Sequence, residues 1–130
     1  MRPVFHLSFP VRDLEAALDF YVGALGAEPG RRHADAADIQ LFGAQVTLQD
    51  APADVLSPNP RTRHFGATVG WPEWEALTAR FESFVEPPKV SYAGEPREQG
   101  KLMVADPSGN LIEIKAYRDP GHVLGDIARG

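Results

Sequence analysis

Residues 5–14, Phe5-His6-Leu7-Ser8-Phe9-Pro10-Val11-Arg12-Asp13-Leu14, run from a strand into a helix. Strand-forming residues fill positions 3–9, and Pro10 and Asp13 then punctuate the chain. The Asp13 carboxylate can accept an orphan backbone N–H of a first helical turn, which makes it an N-cap. Behind it Leu14, Leu18, Tyr21 and Leu25 form one apolar stripe. Gly26 is placed to end that helix in the left-handed conformation. The same order returns later. A shift of 58 residues lays His6 on His64 and Val11 on Val69, and at the far ends a shift of 66 lays Gly43 on Gly109 and Thr47 on Glu113. The extra eight residues fit a longer loop in the second half, and the chain reads as an internal duplication.

The remaining elements fill in each half. Residues 27–38 read as a loop with a short edge strand. Strands are expected at Asp38 to Phe42 and Gln45 to Gln49, joined as a hairpin at Gly43-Ala44. Residues 50–61 hold three prolines and form the linker. In the second half His64 to Val69 reads as a strand. A helix follows from Pro72, with the stripe Trp74, Leu77, Phe81 and Phe84, and Pro87-Pro88 stops it. Lys89 to Tyr92, Lys101 to Ala105 and Leu111 to Tyr117 complete the strands, with a turn at Asp106-Pro107-Ser108-Gly109-Asn110. The tail from Arg118 is expected to be loosely held. The expectation is therefore a single α+β domain of two strand–helix–strand–strand–strand modules. Module one covers residues 1–50, the linker 51–61, module two 62–117 and the tail 118–130.

Composition excludes several function classes. The chain has 130 residues and a formal net charge of −5, which disfavours a nucleic-acid binder. It has no cysteine, so disulfide frameworks and thiolate metal or redox sites are out. No apolar run approaches the ~20 residues of a membrane span. The N-terminus lacks the basic and apolar regions of a signal peptide, so the expected compartment is the cytoplasm.

His6 and His64 hold equivalent places on the first strands of the two halves, and Glu113 lies on the last strand. If the halves pack about a pseudo-two-fold axis, the two imidazoles converge and Glu113 joins them. Two imidazoles and a carboxylate with open positions are the facial triad of non-haem Fe(II). The set also suits Mn(II), Zn(II) and Ni(II). Gln45, Thr47 and Gln49 share one strand face and could touch a substrate. Arg63 and Lys101 could bind an anionic one.

The sequence resembles the vicinal oxygen chelate superfamily, which includes glyoxalase I, extradiol dioxygenases and bleomycin-resistance proteins. The resemblance rests on Phe5-His6 before Val11-Arg12-Asp13-Leu14, on Phe20-Tyr21-Val22-Gly23-Ala24-Leu25-Gly26, on His64, and on Asp106-Pro107-Ser108-Gly109-Asn110-Leu111-Ile112-Glu113. It is closest in flavour to small proteins described as predicted extradiol dioxygenases. It implies paired βαβββ modules forming a U-shaped, mostly antiparallel sheet around a central cavity with one metal, Fe(II) or Mn(II) being favoured. It implies a metal-dependent enzyme on a small substrate chelated through vicinal oxygens, with O₂ in the dioxygenase case. A lyase, isomerase or thiol transferase of the glyoxalase type and a non-enzymatic binding (resistance) protein are the alternatives. Two departures matter. Thr47 stands where glyoxalase I has a fourth ligand. Met103 stands where extradiol enzymes carry a tyrosine, and no acid–base residue is evident. The short modules and exposed sheet edges favour a homodimer; the site could close within one chain, or across two chains that exchange halves, with His6 then coming from a different subunit from His64 and Glu113.

Overall fold

The structure is a computed structural model that describes residues 1–129. It divides into two compact units, Met1–Arg63 with Ala105–Asn110, and His64–Val104 with the described residues from Leu111 on. Each holds a four-stranded sheet, ordered β1-β4-β3-β2 and β5-β8-β7-β6.

In the first unit β1 (His6–Val11) runs parallel to β4 (Ala44–Asp50), which pairs antiparallel with β3 (Ala36–Leu41). β2 (Glu28–Arg32) closes the far edge on β3. The register sets Ser8 beside Thr47 and Thr47 beside Asp38, while His6 lies beside Gln45 and Gln45 beside Gln40. Alternation therefore gives this sheet one polar face. Ile39, Leu41, Val46 and Leu48 lie on the other face and are buried.

Asp13 caps α1 (Leu14–Leu18) as expected, its Oδ1 accepting the Ala16 N–H at 3.1 Å. The expected stripe holds, with Leu14, Tyr21 and Leu25 buried. The helix is not α throughout: residues Asp19–Ala24 continue it as a π-helix. The hairpin turn lies one residue earlier than expected. Leu41 pairs with Ala44, so Phe42 and Gly43 are its central residues, at φ 53° and 74°. A turn that matches the twist of its strands needs positive φ at both places, and the strand-like Phe42 concealed it.

In the second unit β5 (His64–Val69) runs parallel to β8 (Leu111–Tyr117), with Gly66 beside Glu113 and Thr68 beside Lys115. β7 (Gln99–Ala105) and β6 (Glu86–Ser91) follow, and α2 (Trp71–Arg80) packs on β8, with its Trp74 and Leu77 buried. Gly100 lies flat under Trp74, where a Cβ would come within 2.8 Å of the indole. The helix stops before Phe81 and Phe84. By Val85 the backbone already donates to Met103 O at 2.8 Å, and Pro87-Pro88 sit inside β6 rather than ending the helix. β6 is an edge strand, which tolerates residues without an N–H. The tail is ordered as α3 (Pro120–Leu124), capped by Asp119, and a 3₁₀ turn at Gly125–Arg129. Among the described residues no helix is long and apolar enough to cross a membrane.

Candidate functional site

The parallel pairing of β5 and β8 brings two of the expected ligands together. His64 and Glu113 stand on one face of adjacent strands, offset by one step of the pleat, with His64 Nε2 3.9 Å from Glu113 Oε2. Gly66 makes this possible. A Cβ there would overlap the Glu113 carbonyl, so only glycine lets β5 lie this close to β8. The other carboxylate oxygen, Oε1, lies 3.6 Å from Lys115 Nζ. The Glu113 side chain is only 14% exposed, and a buried carboxylate requires such partners. His64, Gly66, Thr68, Glu113 and Lys115 line an open cleft of about 290 Å³.

His6 stands on the first sheet, exposed, with Nδ1 3.1 Å from Gln45 O. A carbonyl only accepts, so the bond places a proton on Nδ1 and leaves Nε2 as the nitrogen that could bind a metal. That backbone bond is how proteins commonly orient an imidazole for a metal. Among the described residues no three His, Cys, Asp or Glu side chains gather as a ligand set.

The polar face around His6 is internally bonded. Thr47 Oγ1 donates to Asp38 Oδ1 at 2.7 Å, and Arg31 Nε donates to Oδ2 at 2.8 Å. The Thr47 hydroxyl, helped by the Arg31 guanidinium, holds the Asp38 carboxyl below the usual carboxylate range. Gln49 Nε2 donates to Ser8 Oγ at 3.1 Å. Arg63 lies exposed in the loop before β5, its N–H bonded to Pro60 O at 2.9 Å, and Lys101 pairs with Lys89 across β7 and β6. Neither lines the cleft.

Sequence reasoning missed Lys115, Gly66 and Asp38. Alternation from Glu113 would have found Lys115. Gly66 and Asp38 become visible only once the strand register is known.

The turn before β8 is anchored by a buried carboxylate. Asp106 Oδ2 accepts from Tyr21 Oη at 2.8 Å and from Asn110 Nδ2 at 2.9 Å, and Oδ1 accepts the N–H groups of Ser108 and Asn110 at 2.8 and 2.9 Å. Ser108 Oγ accepts the Arg12 N–H at 2.8 Å, and Asn110 Nδ2 also donates to Pro10 O at 3.1 Å. Burial, with Asp106 alongside, pushes the Tyr21 phenol well above its ordinary value.

The sequence matches the profile of the Glyoxalase/Bleomycin resistance protein/Dioxygenase superfamily over residues 4–114. The chain belongs to that superfamily. A glyoxalase/bleomycin resistance protein/dioxygenase from Alicyclobacillus acidocaldarius is 33% identical, with 93% of this chain and 96% of that one covered at a TM-score of 0.75. A similarly described protein from Nocardioides is 26% identical over 90% and 85% of the two chains, at a TM-score of 0.61. The fosfomycin resistance protein FosX from Listeria monocytogenes shares the fold at 18% identity and a TM-score of 0.71, over 89% and 93%. No curated protein matches the chain. The superfamily's βαβββ module is the unit seen twice here, once in each sheet.

Proposed function

We propose that this chain is a metal-dependent enzyme acting on a small organic molecule that chelates through two vicinal oxygens. His6, His64 and Glu113 are the ligands, Fe(II) or Mn(II) the metal, and His6 comes from a second copy of the chain. The observation that carries the reading is the pairing of His64 Nε2 with Glu113 Oε2 at 3.9 Å on the wall of an open cleft. The donors fit. Two groups each ~2.1 Å from one ion stand about 3 Å apart, a distance that small side-chain rotations reach from here. The His6 tautomer, set by Gln45 O, leaves Nε2 as a donor in the same way.

When bound, the metal supplies Lewis-acid polarisation of the chelating oxygens. Glu113 keeps the site's charge low, and the imidazoles bind as neutral donors. The Thr47 hydroxyl donates to Asp38 and adds no charge as a fourth ligand, which leaves positions open as an extradiol-type reaction with O₂ requires. Gln45 and Gln49, exposed on the His6 face, are the proposed substrate contacts of that sheet. Dimerisation is supported by β1, an edge strand preceded by exposed Val4 and Phe5, the latter 69% exposed.

The test is anaerobic titration of metal-stripped protein with Fe(II) and Mn(II). One equivalent per chain is expected, lost in His6→Ala, His64→Ala and Glu113→Gln with the circular dichroism unchanged. Full metal retention in His64→Ala, or rejection of these ions and of Zn(II) and Ni(II) by the native chain, overturns the reading. Oxygen uptake with catechols then separates dioxygenation from an isomerase or lyase.

A further inference from the structure

Glu113 presents its two oxygens to two different partners. Oε2 is directed at His64 Nε2, and Oε1 lies 3.6 Å from Lys115 Nζ. The register places Lys115 beside Thr68, one step further along the cleft than the Gly66–Glu113 row. His64, Glu113 and Lys115 thus follow one another along a single cleft wall, with Thr68 beside Lys115 on the neighbouring strand. Lys115 stays partly exposed, so its ammonium faces a cleft that a small molecule can enter.

We propose that Lys115 makes this site selective for a chelating carboxylate, an α-hydroxy or α-keto acid, over a neutral diol. The inference rests on the metal reading above. The charges decide the class. A divalent ion with two neutral imidazoles and one carboxylate leaves a net +1, and the Lys115 ammonium raises the local charge to +2. That favours an anion and leaves a neutral chelator with nothing to set against the lysine. Without a metal, Lys115 is the cation on Glu113. With one, Glu113 is drawn to the ion and the ammonium is released to a substrate carboxylate oxygen. A charge-assisted hydrogen bond at such a position changes affinity by about 10- to 100-fold.

The test uses the full chain, loaded with Mn(II), and glycolate as the probe, followed by titration calorimetry and by the relaxation of Mn(II)-bound water. Lys115→Met is expected to bind Mn(II) as tightly as the native chain or more so, having lost a competitor for Glu113. It should bind glycolate about 10- to 100-fold more weakly. Lys115→Arg should restore most of the glycolate affinity, and catechol binding should change little in either variant. Unchanged glycolate affinity in a Lys115→Met chain that holds Mn(II) overturns the role of Lys115 and leaves the metal site standing. Failure of the native chain to hold Mn(II) overturns the proposal for Lys115, and rejection of Fe(II), Zn(II) and Ni(II) as well overturns the metal reading beneath it. Equal losses of glycolate and catechol would mark a structural role instead, and also overturn the proposal.

Discussion

Replacing Asp106 with alanine tests whether its buried carboxylate holds the turn that leads into β8. In the native chain Asp106 is 5% exposed and accepts from Tyr21 Oη, from the N–H groups of Ser108 and Asn110, and from Asn110 Nδ2. Asp106→Ala removes every acceptor at once. The Tyr21 hydroxyl and the Ser108 N–H belong to residues that are 0% and 2% exposed, so water cannot replace the carboxylate for them. Each stranded donor costs about 1–3 kcal/mol. Asn110 is half-buried, and solvent can take over part of its share. The expected loss is therefore about 4 kcal/mol, which lowers Tm by roughly 10–20 °C in a chain of this size. Asp106→Asn keeps one carbonyl oxygen for the two backbone donors and should lose about half as much. Urea melts followed by far-UV circular dichroism give both values. A loss under about 1 kcal/mol for the alanine variant, or equal losses for alanine and asparagine, would refute the reasoning.

Three further outcomes are expected. Gly66→Ala forces a Cβ into the Glu113 carbonyl, a backbone group that cannot rotate away, so it should destabilise by about 3 kcal/mol and weaken Mn(II) binding, whereas unchanged stability and affinity would show that β5 and β8 are not so closely apposed. The Trp74 Nε1 group is buried without a partner among the described residues, so Trp74→Phe should cost under about 1.5 kcal/mol by chemical denaturation, well short of the about 3–5 kcal/mol of Trp74→Ala. Asp38 is held below its unfolded value, so the stability it contributes is present above pH ~4 and lost as the pH falls through its folded value. Asp38→Asn should therefore be less stable than the native chain at pH 7, with the gap closing below about pH 4, and a constant gap from pH 7 to 2 would contradict this.

Much of the architecture could be read from residue pattern because the signals were local. Asp13 is the N-cap, Gly26 takes a left-handed φ of 73°, and His64–Val69 and Leu111–Tyr117 are strands with the expected bounds. The two offsets also return in the register. His6 pairs with Gln45 and His64 with Leu111, which places Thr47 and Glu113 at equivalent points of the two sheets. What escaped depends on partners distant in sequence. Pro87-Pro88 look like a helix stop until β6 is seen to be an edge strand, and Phe42 looks like a strand residue until Leu41 is seen to pair with Ala44. At the site, the sequence offered His64 and Glu113 as ligands but not Lys115, because a lone lysine on a strand reads as surface charge. Asp38 was invisible because Arg31 and Thr47 meet it from two different strands.

The reach of Tyr21 to Asp106, 85 positions further along the chain, has a consequence for biosynthesis. At translation rates of 5–20 residues per second, Tyr21 leaves the ribosome roughly 4 to 17 s before the carboxylate it needs. Once Asp50 has been made the nascent first unit has the residues of all its strands and its helix, but its phenol still lacks its acceptor. The unit is therefore not a separable folding cassette, and a gene fragment ending at the proline-rich linker encodes an unfinished one. Any ancestral duplication has since been tied into a single product by six residues, Ala105–Asn110, that lie in the second half of the chain and fold with the first.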